Sequence, residues 1–238
     1  VPVVVLRNED VRPGRIKLLR EDEVPDDMVY VAGSTTVDPG GTGDRRYLDI
    51  NLRTVHGFLI DRCEVSRGEY KKFLDSLPLE ERARHLPISW ERQQLEPGWQ
   101  NLPVHGVSLL DAEAFARWKG KRLPTQIEWV KAARGADRRH YPWGNHLMVR
   151  DRPRCNSAGT PYQGRKGILA PVDSYPYGAS PYGCLNMSGN VAELVRPAKI
   201  PRNLGKAVFY GGHLGNSFDH VRVYVRIEIP CLLYTSDA

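Results

Sequence analysis

The chain has 238 residues, of which 41% are hydrophobic and 26% are charged, and its formal net charge is +6. This composition is typical of a globular protein with a sizeable core, and it excludes a disordered or fibrous chain. No apolar run approaches the roughly 18 residues that a membrane span needs, and the scattered basic residues do not indicate a nucleic-acid face. The four cysteines (Cys63, Cys155, Cys184 and Cys231) form no CxxC pair and indicate neither a zinc site nor a disulfide framework.

Both ends of the chain are predicted to lie outside the main domain. Residues 1–27 contain the apolar runs VPVVVL and IKLL, which predict two strands that end an upstream domain or form a linker. Residues 28–230 are predicted to form the main domain, which we expect to be truncated at its C-terminal side. The last eight residues, CLLYTSDA, resemble the translation of a sequencing adapter in a metagenomic fragment, so we expect 231–238 to be a non-native tail.

Short strands and three capped helices are predicted in the first half of the main domain. MVYVAGS and GFLIDRCEV are expected to be strands, and DPGGTGD between them a loop. Three helices follow (SRGEYKKFLDSL, SLLDAEAFARWKG and TQIEWVKAARG), each opened by a Ser or Thr with an acid three residues later. The predicted apolar stripes are Tyr70, Phe73, Leu74 and Leu77 in the first helix, and Leu110, Ala114, Phe115 and Trp118 in the second.

Beyond residue 136 the sequence predicts turns and short extended pieces rather than helices. HYPWGN, APVDSYPYGASPYG and NMSGNVAEL are rich in Gly, Pro, Asn and aromatic residues. Few helices, short strands and long ordered loops indicate the α+β class, and such loops in a compact domain are usually functional. Trp118, Trp129 and Trp143 are predicted to pack against these loops and fix them in place.

The polar stretch LNMSGNVAEL, residues 185–194, suits either a turn or a metal site. In a turn, Asn186 and Asn190 would hydrogen-bond to their own backbone. Calcium is the alternative, because it takes about six to eight oxygen ligands and a glycine-bearing turn can aim carbonyl groups inward.

Taken together, these motifs resemble one family. Residues 103–137, followed by YPWGN and NMSGNVAE, have the order and spacing of the formylglycine-generating, sulfatase-modifying-factor domain superfamily. The resemblance covers about residues 28 to 230, and it implies a C-type-lectin-like α+β fold.

The resemblance also implies a structural calcium ion, held by the side chains of Asn186 and Glu193 and by the carbonyls of Gly189 and Val191. At a second calcium site of the family, Asn156 and Ser157 match. Lys166 stands where an acidic ligand belongs, so we expect this second site to be lost.

Enzymes of the family oxidise a substrate cysteine with copper(I) held by two cysteine thiolates, ligands that suit this soft ion. Counted from Gly211, these two positions fall at Asn216 and Val221, and no cysteine stands between Gly211 and Cys231. We therefore predict that copper is not bound and that the family's oxidase chemistry is absent.

Two functions are left open. The first is a non-catalytic ligand-binding, sensory or interaction domain, with a groove for a protein, peptide or small molecule lined by His213, Asn216, Phe218, Asp219 and Arg222. The alternative is a metal-dependent oxidoreductase or protein-modifying enzyme of the same superfamily with an altered site. An iron centre of this kind would draw on His213, His220 and Asp219.

Residues 1–33 also resemble the junction that precedes such domains in bacterial serine/threonine kinases. The resemblance implies a covalently linked kinase outside this chain and, with it, a cytoplasmic location.

Overall fold

The structure is a computed structural model, and it describes residues 5–6, 23–34, 54–90, 98–146, 153–196 and 206–230. The first of two antiparallel sheets contains β1 (Val5–Leu6), β2 (Met28–Val31) and β3 (Phe58–Asp61), in the order β1–β3–β2. The second contains β4 (Glu193–Val195), β5 (Lys206–Tyr210) and β6 (Ile227–Pro230), in the order β4–β5–β6.

The α-helices of the described residues are short. They are α1 (Arg67–Ser76), α2 (Leu79–Arg82), α3 (Leu109–Trp118) and α4 (Gln126–Arg134). Single 3₁₀ turns interrupt the loops at Ala83–His85, Ile88–Trp90, Trp99–Asn101, Tyr162–Gly164, Pro176–Gly178 and Phe218–His220. The predicted α+β class, with few helices, short strands and long loops, is confirmed.

Local capping explains where the three predicted helices begin. In α4 the Thr125 hydroxyl accepts from the Glu128 amide at 3.4 Å, and the Glu128 carboxylate accepts from the Thr125 amide at 2.8 Å. Ser108 makes the same reciprocal pair at the start of α3. In α1 the Ser66 hydroxyl accepts from the Glu69 amide, while the Glu69 carboxylate accepts from the Lys119 ammonium.

Two apolar clusters form the core of the described residues. The first joins α4 to both sheets, with Trp129 fully buried in a cluster that includes Val31 and Ile60 of the first sheet and Val208 of the second. The second joins α1 and α3 to the second sheet, and there Tyr70 stacks on Phe115 at 5.5 Å. The predicted stripe of α1 is correct, since Tyr70, Phe73 and Leu74 are buried and Leu77 is half-buried.

The face of α3 that is buried differs from the predicted apolar stripe, so that prediction is wrong. Leu110 and Trp118 are 55% and 42% exposed, whereas Phe115, Ala112 and Ala116 are buried. Phe115 fixes the inward face through its contact with α1, and the two alanines that share this face occupy little space between the helices. Trp118 therefore packs only at the edge, with its ring 5.8 Å from that of Phe73.

Several expectations fall outside the described residues: the strand at IKLL, the loop DPGGTGD and the tail 231–238. The domain boundaries at residues 27 and 230 stay predictions. Among the helices of the described ranges, none is both long and apolar enough to cross a membrane.

Candidate metal centre and binding groove

The stretch that begins at Leu185 is a buried turn that leads into β4. Asn186 and Asn190 both have left-handed backbone conformations, with φ of 56° and 55°, which asparagine tolerates better than most residues. The turn is attached to the end of the first sheet because the Leu185 amide donates to the Arg62 carbonyl at 2.8 Å. The turn differs from the expected one, because the Asn186 side chain bonds to Glu64 and the Val172 carbonyl, and that of Asn190 to Glu64 and Ala170, rather than to their own backbone.

Gly189 lies at the tightest point of this turn. Its φ is 81°, and a Cβ added there would lie 2.1 Å from the carbonyl oxygen of Asn156. The next amide, that of Asn190, donates to this same carbonyl at 2.8 Å. A side chain at position 189 would therefore separate the turn from the 153–160 loop.

Glu64, which sequence reasoning missed, organises the turn from a position three residues beyond the end of β3. Its Oε2 atom accepts from the side-chain amides of Asn186 and Asn190 at 3.0 Å each, and its Oε1 atom accepts from the Val191 amide at 3.3 Å. Only 2% of Glu64 is exposed. The available signal was an acid at the end of an apolar strand, where a charged residue is rarely buried without partners.

The four predicted calcium ligands all present oxygens that accept no hydrogen bond from the described part of the chain. Glu193 accepts from the Trp129 indole through Oε2 at 2.6 Å, while its Oε1 atom is buried without a partner. The Oδ1 atom of Asn186 is likewise buried and unpaired. Within the described ranges, the carbonyl oxygens of Gly189 and Val191 accept no hydrogen bond.

Two buried carboxyl groups, those of Glu64 and Glu193, lie at this site, and both have raised pKa values. Burial raises the pKa of Glu193 to about 7, against the lowering effect of the Trp129 hydrogen bond. Burial, and secondly the charge of Glu193, raises the pKa of Glu64 well above its usual value. Neither carboxylate forms an ion pair with any side chain that the structure describes. A divalent cation would compensate both charges, and the all-oxygen donor set fits calcium.

Residues of the second calcium site are engaged in other bonds. The Oδ1 atom of Asn156 accepts from the Tyr162 amide at 3.0 Å, and its side-chain amide donates to Asn190. Ser157 pairs with the Thr160 hydroxyl at 3.0 Å, and Lys166 is exposed. These bonds agree with the expectation that the second site is lost, which stays a prediction.

The predicted groove residues lie in the loop 211–226, where they form two separate pairs and a packing contact. The His213 amide donates to Asn216 Oδ1 at 2.9 Å, and Arg222 forms an ion pair with Asp219 at 2.5 Å. Phe218 instead packs on the 153–160 loop, since a Cβ on Gly159 would lie 2.5 Å from its ring. The structure therefore does not gather the five residues into a single contact set.

The alternative iron ligands are not brought together. Asp219 is paired with Arg222, and the Nδ1 atom of His220 lies 2.9 Å from the Ser217 hydroxyl. In the part of the chain that the structure describes, no three His, Cys, Asp or Glu side chains are grouped for a metal.

Aromatic residues of the HYPWGN motif, which were not assigned to the groove, contact the loop 211–226. The Tyr141 hydroxyl donates to the Phe218 carbonyl at 3.3 Å, and the Tyr141 ring stacks on Trp143 at 5.0 Å with an interplanar angle of 5°. Tyr224 accepts from Arg222 at 3.2 Å. Trp143, half-buried on this stack, packs as expected.

Three hydrogen bonds fasten the loop 211–226 to the turn. They run from Gly189 N to Gly211 O at 2.8 Å, from Leu214 N to Asn190 O at 3.0 Å and from the Ser188 hydroxyl to Val221 O at 2.7 Å. The turn therefore supports the groove loop directly.

The two positions assigned to the family's copper-binding cysteines are neighbours in space. Asn216 Oδ1 and Val221 Cγ1 each lie 3.0 Å from the point that a Cβ on Gly212 would occupy. The described cysteines lie in other motifs, and Cys155 and Cys184 are buried. Burial raises the pKa of Cys63 and of Cys184 to about 12, so both remain protonated at neutral pH.

Known proteins share both the sequence motifs and the fold. A formylglycine-generating enzyme of Thermomonospora curvata is 47% identical over 98 residues, a match that covers 39% of this chain and 32% of the relative. The serine/threonine-protein kinase Pkn1 of Chlamydia trachomatis is 29% identical over 204 residues, covering 79% of this chain and 31% of the kinase. The chain thus spans about a third of each relative.

Among solved structures, PvdO from Pseudomonas aeruginosa superposes with a TM-score of 0.64 at 19% identity, covering 93% of this chain and 94% of PvdO. This similarity confirms the fold that the motifs imply. The family described as the sulfatase-modifying factor enzyme 1-like domain matches residues 16–230. The chain therefore belongs to the sulfatase-modifying-factor family.

Proposed function

We propose that this domain is a non-catalytic binding module of its family, supported by a structural calcium ion. The non-catalytic assignment rests on the residues Asn216 and Val221. These residues are adjacent at the point where the family resemblance places two thiolates, and an amide and an alkyl group cannot hold copper(I).

Support for calcium comes from the turn. Four oxygens lack donors there, and two buried carboxylates lack a cationic side chain among the described residues. Asn186, Gly189, Val191 and Glu193 would hold the ion. Bound calcium would supply charge compensation and would fix the turn, and with it the attached loop 211–226.

The ligand of the module would be a protein, peptide or small molecule bound along the loop 211–226. Polar and aromatic groups meet there, since Arg222 donates to Tyr224 and the Phe218 carbonyl accepts from Tyr141, whose ring stacks on Trp143. The match to a kinase of which this chain spans 31% supports a recognition role within a larger protein. In such a protein, catalysis would belong to another domain.

Copper chemistry tests the non-catalytic assignment. We expect the purified chain, treated with copper(I), to retain much less than one copper per molecule and to oxidise no thiol peptide. The double variant N216C/V221C is the matched control, because it restores two thiols at adjacent positions and should retain copper. Turnover or stoichiometric copper in the unmodified chain would overturn the proposal.

A further inference from the structure

A second polar cluster lies at the start of α1 and shares no residue with the turn or the groove. Arg67, the first residue of α1, is only 3% exposed. Its Cζ atom lies 5.5 Å from the centre of the Trp99 ring, and its Nη2 atom lies 3.1 Å from His105 Nε2. Trp90 packs against Trp99 with their ring centres 4.7 Å apart.

This cluster offers hydrogen-bond donors without acceptors. Arg67 Nε, Trp90 Nε1 and Trp99 Nε1 are all buried and have no hydrogen-bond partner. Within the described ranges, no carboxylate pairs with Arg67, and the side-chain hydrogen bond that its guanidinium makes is to His105. Three unpaired N–H groups in one cluster are uncommon, because each costs free energy unless an acceptor reaches it.

His105 does not balance the charge of Arg67. Burial, and secondly the charge of Arg67, lowers the pKa of His105 to about 4, so the ring is neutral at pH 7. Its Nε2 atom then serves as an acceptor for Arg67. Among the residues that the structure describes, the buried guanidinium therefore has no anionic partner, an arrangement that is strongly unfavourable unless an anion binds.

We propose that Arg67, Trp90, Trp99 and His105 form a binding site for a carboxylate-bearing ligand with an apolar body. A planar carboxylate matches the guanidinium edge and can accept from two N–H groups at once. Trp90 is only half-buried, and its exposed part supplies apolar surface for the rest of the ligand. The unpaired indole N–H groups would add further donors to its oxygens.

Benzoate is the probe for this site, and benzamide, which has the same shape without the charge, is its control. We expect benzoate to raise the Tm of the chain and to change its tryptophan fluorescence with a one-to-one saturation curve, and benzamide to do neither. The affinity of the variant R67Q for benzoate should be at least tenfold lower than that of the unmodified chain. The exposed Arg117 gives the matched control R117Q, which should respond as the unmodified chain does.

The stability of R67Q without probe provides an independent measurement. If only an external anion compensates the charge of Arg67, the variant R67Q removes an uncompensated buried charge. The Tm of R67Q should then equal or exceed that of the unmodified chain. Glu91 and Glu96 follow Trp90 in the sequence. A lower Tm for R67Q that the variant E91Q/E96Q also shows would mean that the chain supplies its own carboxylate, and this result would overturn the proposal. Equal benzoate responses in R67Q and the unmodified chain, or no response in either, would also overturn it.

Discussion

At the scale of single residues, the two buried acids of the turn have different roles. Glu64 uses both oxygens to accept three N–H groups, so it is already satisfied by the protein. Glu193 uses one oxygen for Trp129 and leaves the other without a donor. Glu64 therefore shapes the turn, whereas Glu193 is the residue with an oxygen available to a cation.

Replacing Glu193 by Gln separates these two roles. The variant E193Q keeps an acceptor for Trp129 but removes the charge, so it should fold without calcium at least as stably as the unmodified chain. Calcium at 100 times its Kd should stabilise the unmodified chain by about 2.7 kcal/mol, or about 5 to 10 °C in Tm. Calorimetric titration and thermal unfolding measure both effects.

The exposed Glu80 offers the matched control E80Q, which should bind calcium as the unmodified chain does. Identical calcium titrations for E193Q and the unmodified chain would remove Glu193 from the site.

His105 makes stability depend on pH. Its pKa is about 4 in the folded chain and about 6.5 when unfolded, so the unfolded chain takes up a proton first as the pH falls. The resulting stability is complete above pH 6.5 and is lost towards pH 4. We expect H105Q to lack this part of the acid sensitivity, a difference of about 1 to 2 kcal/mol after allowing for partial exposure. Urea unfolding of both chains from pH 4 to 7 measures it, and parallel curves would contradict the assignment.

At the scale of elements, α4 links local sequence to the candidate metal centre. Its N-terminus is fixed by the reciprocal bonds of Thr125 and Glu128, and its Trp129 side chain holds the Glu193 carboxylate. The Arg196 amide donates to the Pro124 carbonyl at 2.8 Å, so the end of β4 is attached just before the helix. The cap of α4 therefore influences the position of Glu193.

Removing this cap should weaken the whole domain. We expect T125A to lower the free energy of unfolding by about 1 to 2 kcal/mol, as for other N-cap substitutions, because the Glu128 amide loses its acceptor. T125S retains the hydroxyl and should lose less than half of that amount. Urea denaturation with equal m-values checks both variants, and equal losses in T125A and T125S would show that the hydroxyl is not responsible.

Features that depend on residues close in the sequence were predictable, whereas features that depend on contacts between distant residues were not. Ser108 and Thr125 identify their helices because a cap and its acid lie three residues apart. The inward face of α3 depends on how α1 packs against it, so the stripe through Leu110 failed. Glu64 escaped detection because its partners lie more than 120 residues away in the chain. Asn186 and Glu193 were assigned to a calcium site only through the family resemblance, and that assignment stays a prediction.

At the scale of the whole molecule, the turn connects parts of the fold that have no common strand. It bonds to Arg62 and Glu64 beyond the first sheet, and it continues into β4 of the second. It also bonds to Asn156 and to the loop 211–226. An ion in the turn would therefore stabilise contacts on several sides at once.

Amide hydrogen exchange should detect this connection. We expect calcium to slow exchange in residues 211–226 of the unmodified chain, because these residues hydrogen-bond to the turn that the ion fixes. Helix α1 should show a smaller change, and E193Q should show none in either segment. Slowing confined to residues 185–193 would contradict the link between turn and groove.

The long sequence separation between Glu64 and its hydrogen-bond partners also affects how the domain folds during its synthesis. The carboxylate and the amides that it accepts from are separated by 122 to 127 positions in the chain. On the ribosome, β3 therefore emerges long before its partners, and Glu64 remains hydrated and charged until residues 186–191 follow. The centre cannot assemble on a shorter nascent chain, and calcium binding would mark the moment at which the early and late halves of the domain have joined.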